Sequence, residues 1–146
     1  MAERTGPEAE PPYVLEDQIG FKLRLAYQKN VEIFALALPE ITPMQFAVLA
    51  KMQEMGTLSQ NRLGRLVAMD AATIKGVIDR LRLRGLVETV PSATDRRRLE
   101  VSLTEEGAAL IAALAPRAAQ VSRQTLRKLK PREVAQLLDL LDRLVE

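Results

Sequence analysis

The chain has 146 residues, 47% of them apolar but only 3% aromatic, and a formal net charge of +2. That length suits one domain with helical extensions, and the scarcity of aromatics leaves its core to Leu, Val, Ile, Ala and Met. The chain contains neither Cys nor His, which excludes disulfides, thiolate and imidazole metal sites, cysteine redox sensing and histidine-based acid–base or triad catalysis.

Residues 1–12, MAERTGPEAEPP, are polar and Pro-rich, lack a secretory apolar core, and are expected to be disordered. No apolar run reaches the roughly 18–20 residues of a membrane span, so a cytoplasmic protein with no membrane partner is expected. From Tyr13 to Leu38 apolar residues recur densely, predicting a long helix that stops before Pro39. At 1.5 Å per residue such a rod measures roughly 36 Å. Its apolar face (Leu15, Ile19, Leu23, Ala26, Tyr27, Ile33, Phe34 and Ala37) is too long to be covered within one small domain.

Thr42 followed by Pro43 is an N-cap with proline at the first helical position, opening a helix that ends at Met55 before Gly56. Ser59 caps a short helix over QNRLGRLVAM, and Asp70 caps AATIKGVIDRLRLRG, closed by Gly85. Two short helices joined by a tight turn near Met69 have the helix-turn-helix layout. Strands over 86–90 and 99–103 enclose PSATDRRR, giving a β-hairpin whose loop is long for a mere connection. Thr104 caps a helix running to about Leu129, with Glu105 and Glu106 in its first turn and a kink expected at Pro116. Pro131 opens a final helix with Val134, Leu137, Leu138, Leu141, Leu144 and Val145 on one face. The fold class is mainly α with a small β-hairpin: a single domain over 13–146, whose winged helix-turn-helix (43–103) is flanked by N-terminal (13–38) and C-terminal (104–146) helices.

Charge is unevenly placed. Between Ser59 and Arg98 nine cations stand against four anions, a local balance of +5 that leaves −3 for the rest of the chain. This is the footprint of a double-stranded DNA-binding module; a solvated charged surface is the plain alternative. In the second short helix Ile74, Val77, Ile78 and Leu81 share an inner face. Ala72, Lys75, Gly76 and Asp79 lie opposite, flanked by Thr73 and Arg80, free to enter a major groove. Ser59, Gln60 and Arg62 open the first short helix at the same end of the motif. Gly76 either permits close backbone approach or is simply a weak helix position. A hairpin beside this motif is a wing, and Arg96, Arg97 and Arg98 at its tip suit the negative potential of a narrow minor groove. Asp95 could hold the loop backbone or pair with an arginine. An enzyme is disfavoured: Asp17, Glu32 and Glu54 have no partner in register, and no Gly-rich phosphate loop is present.

At these residues the chain resembles the multiple antibiotic resistance regulator (MarR) family of winged-helix transcription regulators. Asp95, Arg97, Leu103 and Thr104 match its wing signature. Ile78, Asp79, Arg80, Leu81, Gly85, Leu86 and Val87 match the end of its recognition helix. Thr42, Pro43 and Phe46 resemble the start of its second helix, and Leu58, Leu63 and Leu66 match the first helix of its reading motif. The resemblance covers about Leu15 to the C-terminus. It implies a homodimer interlocked through the N-terminal helix and the last two helices. It also implies binding to a pseudo-palindromic operator and repression relieved by a small, often aromatic or anionic, effector. Thr73, Lys75 and Gly76 sit where groove contacts fall, and Arg97 where the minor-groove arginine falls.

Tyr27 and Phe46 are candidate effector-pocket walls, with core packing as the alternative. Arg24 is a candidate for an effector's acidic group, with a surface or intersubunit salt bridge as the alternative. Gly76 stands where a longer polar residue is usual, and Lys130 precedes Pro131 where Ser or Thr is usual, so the last helix is expected to fray at its start. Without Cys the family's peroxide-sensing branch is excluded, and without His and Cys the zinc-sensing branch is disfavoured; no cofactor or metal is expected. The resulting expectation is a ligand-responsive, operator-specific dimeric repressor. The alternative is a winged-helix module that meets another protein or binds DNA without sequence preference.

Overall fold

The computed structural model describes residues 6, 7 and 9–146. The expected disordered segment 1–12 lies partly outside them; its described residues carry no regular structure and are exposed. The first helix is shorter than the apolar pattern suggests. A single 3₁₀ turn, Leu15–Asp17, precedes it, and α1 runs from Ile19 to Ala37. Gln18 divides them: its backbone is extended and its side-chain amide donates to the Val14 carbonyl at 3.0 Å. Only Ile33 and Phe34 of α1 are buried, while Ile19, Leu23, Leu25 and Tyr27 remain exposed.

The local capping signals are realised. Thr42 Oγ1 accepts the Gln45 N–H at 3.1 Å, and Gln45 Oε1 accepts the Thr42 N–H at 3.4 Å, a reciprocal box that opens α2, Pro43–Met55. Ser59 accepts the Arg62 N–H to open α3, Gln60–Leu66, and Asp70 accepts the Thr73 N–H to open α4, Ala71–Leu83. α3 stops at Leu66, three residues short of the expected turn at Met69. Ala68 takes a positive φ of 57° there, and the Met69 N–H returns to the Gly64 carbonyl. Gly85, at φ 73°, reverses the chain after α4.

The hairpin belongs to a three-stranded antiparallel sheet. Strand β1, Leu58–Ser59, was absent from the sequence expectation. It pairs with β3, Leu99–Leu103, which pairs on its other edge with β2, Val87–Pro91, one residue later than expected. Two residues carry no readable alternation, yet Leu58 opposite Val101 puts a buried side chain under the wing.

α5, Glu105–Thr125, runs unbroken through Pro116 and ends four residues before Leu129. Pro116 and Ala112 are both exposed, so water is within reach of the carbonyl that loses its partner. The Thr125 hydroxyl, bonded back to the Val121 carbonyl at 2.7 Å, marks the last turn. α6 spans Pro131–Val145. Lys130 has no side-chain acceptor, but its backbone N–H donates to Glu133 Oε1 at 2.9 Å, so the helix start expected to fray is held by the reciprocal half of a capping box.

The core gathers Leu38, Val48, Leu49, Met52, Leu63, Ile74, Ile78, Leu81, Val87, Val101, Ile111 and Leu114 beneath α2, α4, the sheet and the first half of α5. No residue of α6 is buried. Among the described residues, no helix is long and apolar enough to cross a membrane.

The wing meets α5 at one tight joint. Thr104 Oγ1 accepts the Gly107 N–H at 3.0 Å and donates to the Gly85 carbonyl at 2.6 Å. A Cβ at position 107 would lie 2.0 Å from the Leu86 carbonyl oxygen, whereas one at Gly76 would meet nothing nearer than Arg80 at 3.8 Å. The two glycines should therefore respond oppositely. Gly107→Ala should destabilise by about 1–3 kcal/mol or more through overpacking, and Gly76→Ala should stabilise by roughly 0.5–1 kcal/mol through helix propensity. Urea unfolding measures both; shifts of the same sign would contradict the packing described.

Candidate nucleic-acid interface

α4 presents its two faces as its spacing requires. Ile74, Val77, Ile78 and Leu81 are buried, none more than 3% exposed. Ala72, Lys75 and Arg80 are exposed, and Thr73, Gly76 and Asp79 are half-buried along the outward side. Two intrahelical ion pairs converge on Asp79: Lys75 Nζ at 2.9 Å and Arg82 at 3.1 Å. The Lys75 hydrogen bond, aided by the charges of Lys75 and Arg82, holds the Asp79 carboxyl below its ordinary range. The Asp70 carboxyl is lowered chiefly by the Thr73 N–H that it caps. Both stay anionic at neutral pH, so Lys75 is pre-aligned along the helix rather than extended freely.

The wing tip is organised by its own polar side chains. Ser92 is buried, and its hydroxyl accepts the N–H groups of Thr94 and Asp95, each at 3.3 Å. Asp95 Oδ1 accepts the Arg97 N–H at 3.0 Å, its carbonyl accepts the Arg98 N–H at 3.0 Å, and its Oδ2 lies 3.9 Å from Arg98 Nε. Asp95 therefore plays both parts open to it: it ties the loop backbone and pairs with an arginine. Arg96, Arg97 and Arg98 all remain exposed.

The wing and α3 enclose a cleft of about 420 Å³. Ser59, Gln60, Arg97 and Arg98, four of the residues singled out in the sequence, line it together with Asn61 and Arg65, which were not. Their only signal in the sequence was helical spacing on the basic segment. Arg62 is exposed nearby but lines no part of it. Ser92 was also missed; a serine directly after Pro91 in a turn-rich loop is the cue for its hydroxyl–backbone bonds.

The three effector candidates separate. Phe46 packs edge-on against Phe34, ring centroids 5.9 Å apart, and sits against the core, so packing accounts for it. Arg24 is exposed and lines neither the cleft at the wing nor those beside Tyr27. Tyr27 is exposed and lines a cleft of about 460 Å³ between α1, α2 and α4, with Val31, Pro43, Met44, Gln45, Val77 and Arg80. Arg80, expected on the DNA face, thus also borders this apolar cleft, one helical turn from Val77 on its wall. No cluster of potential metal ligands occurs among the described residues.

Comparison with known proteins agrees with this geometry. The MarR family profile matches residues 40–98. Over all of its length, and 96% of the relative's, the chain is 38% identical to the HTH-type transcriptional repressor NicR of Pseudomonas putida. The structure superposes on a probable transcriptional regulator from Pseudomonas aeruginosa with a TM-score of 0.88 and 46% identity, covering 90% of this chain and 99% of that one. It superposes on BpsR of Bordetella bronchiseptica, whose DNA binding is regulated by 6-hydroxynicotinic acid, with a TM-score of 0.90 and 36% identity over 93% and 99% of the two chains. An outward-facing recognition helix, an arginine-tipped wing and these relatives together place the chain in the MarR family of winged helix-turn-helix, DNA-binding transcriptional repressors.

Proposed function

We propose that the chain acts as a homodimer that binds a pseudo-palindromic operator and is released from it by a small aromatic acid. The carrying observation is the juxtaposition of the outward face of α4 with a wing whose three arginines are exposed on a hydrogen-bonded loop. In this reading 43–103 is the DNA-reading region. Ala72, Thr73, Lys75 and Gly76 approach base edges in the major groove, and Asp79 orients Lys75. Ser59, Gln60, Arg62, Asp95 and the wing arginines position the backbone and reach the minor groove.

The segments 13–38 and 104–146 supply the dimer interface. Support comes from the apolar surface the single chain leaves uncovered: Leu138, Leu140, Leu144 and Val145 on α6, and Ile19, Leu23 and Leu25 on α1, are all at least 43% exposed. Exposed apolar surface on this scale marks an association surface, and a second copy brings the same surfaces in matching pairs.

The effector reading rests on the cleft at Tyr27. Its floor is apolar and its rim carries the cationic Arg80, a match for a planar ring bearing a carboxylate such as 6-hydroxynicotinic acid. Because Val77 and Arg80 belong to α4, occupation of the cleft bears directly on the recognition helix.

The purified protein should be titrated against the duplex upstream of its own gene and a scrambled duplex of equal length. A preference of about a thousandfold or more supports specific operator binding; equal, weak, salt-sensitive binding to both argues against it. In the same assay Arg97→Ala should weaken operator binding and reduce the slope of log affinity against log salt by about one, and unchanged affinity removes Arg97 from the interface. Leu141→Asp should convert the dimer to monomer by burying an unpaired charge; a variant that still sediments as a stable dimer refutes the α6 interface. Tyr27→Ala should leave operator affinity near wild type while abolishing release by 6-hydroxynicotinic acid. Undiminished release would move the effector site elsewhere.

A further inference from the structure

The five residues between α1 and α2, residues 38–42, are gripped from two sides by arginines distant in sequence. Arg84, the C-cap of α4, donates through one guanidinium nitrogen to Gln45 Oε1 at 3.1 Å and through the other to the Glu40 carbonyl at 2.8 Å. Arg117, midway along α5, donates to the Ala37 carbonyl at 3.0 Å and to Glu40 Oε1 at 2.6 Å. The connector is itself anchored, because Leu38 and Ile41 are buried in the core. A planar, forked guanidinium that bridges two acceptors fixes an angle as well as a distance. Exposed ion pairs add little to stability, and Arg117 and Glu40 are 44% and 40% exposed. What these bonds govern is therefore orientation.

The lever this creates is long. α4 has 13 residues, about 20 Å of helix, and is tethered at its C-terminal end, while Ala72, Thr73 and Lys75 stand at the other. A rotation of about ten degrees at the tether moves those residues by roughly 2–3 Å, most of the rise of one base pair. Recognition helices of a dimer must meet half-sites about one helical turn apart, so an error of that size is most of a step out of register.

We infer that Arg84 and Arg117, converging on Glu40, are positioning residues that set the angle of α4 against α1 and α5, and through it the half-site spacing the dimer accepts. This rests on the operator-binding dimer proposed above. The test compares binding to the operator duplex and to the same duplex lengthened by one base pair between half-sites, using wild type, Arg117→Lys, Arg84→Lys and Glu40→Gln. Lysine keeps the charge but cannot bridge two acceptors with one planar fork.

Wild type should prefer the native spacing by about tenfold or more. The variants should reduce that preference to about twofold or less, with unchanged affinity for scrambled duplex, unchanged dimerisation and an unchanged thermal midpoint. Variants that keep the wild-type spacing preference overturn the inference. So does a fall in thermal midpoint or a uniform loss of affinity for every duplex in all three variants, which would make the contacts merely structural. A wild-type protein that does not distinguish operator from scrambled duplex overturns instead the operator-binding reading beneath it.

Discussion

Four side chains on the inner face of α4 decide what the outer face can do. Ile74, Val77, Ile78 and Leu81 follow the spacing of a single helical stripe and are almost wholly buried. Burying such side chains is worth roughly 1.5–3 kcal/mol each, an upper figure because the unfolded chain already hides some of that surface. An exposed ion pair is worth less than about 1 kcal/mol. The apolar stripe therefore fixes the rotation of α4 about its own axis, and with it the outward aim of Ala72, Lys75 and Gly76. Directional contacts at its ends add to that packing: the Asp70 cap at one and the Arg84 fork at the other.

Two of the basic elements, α4 and the wing, each carry a carboxylate. Asp79 holds Lys75, and Asp95 holds the Arg97 backbone and the Arg98 side chain. These anions lower the local positive potential, yet they restrict long side chains that would otherwise lose rotamer freedom on contact with a phosphate or a base. In the proposed complex Lys75 would leave Asp79 for an acceptor on a base edge, so its net contribution depends on geometry more than on charge. Arg96 and Arg97, whose side chains form no ion pair among the described residues, would carry the more general attraction in the proposed complex.

What could be read in the sequence was what is local. Thr42, Ser59, Asp70 and Thr104 all accept the N–H of the third residue onward, and each announced a helix start within four residues of chain. The inner stripe of α4, the hairpin and the arginine tip were legible for the same reason. The 3₁₀ break at Gln18 was not, because the apolar recurrence passes straight across it. β1 was hidden because two residues have no period, and their pairing is set by β3, more than 40 residues away. Phe46 and Tyr27 looked alike as isolated aromatics on apolar faces; only the packing of Phe34 against Phe46 separates a core residue from a cleft wall. The bonds of Arg84 and Arg117 span 39 to 80 residues and leave no trace in local pattern.

The cleft and the joint share a wall. Gln45, whose side-chain oxygen completes the α2 capping box and accepts from Arg84, also lines the cleft bordered by Tyr27 and Arg80. That cleft is built from α1, α2 and α4, so its shape changes whenever α4 tilts relative to the other two. A small molecule that fills it can shift the tilt only by as much as it prefers one arrangement over another. The coupling is reciprocal: DNA that selects one tilt of α4 must weaken any effector that selects a different one, by the same factor. In the proposed function, the polar joint at one end of α4 and the cleft against the same helix are the contacts through which such an exchange would run.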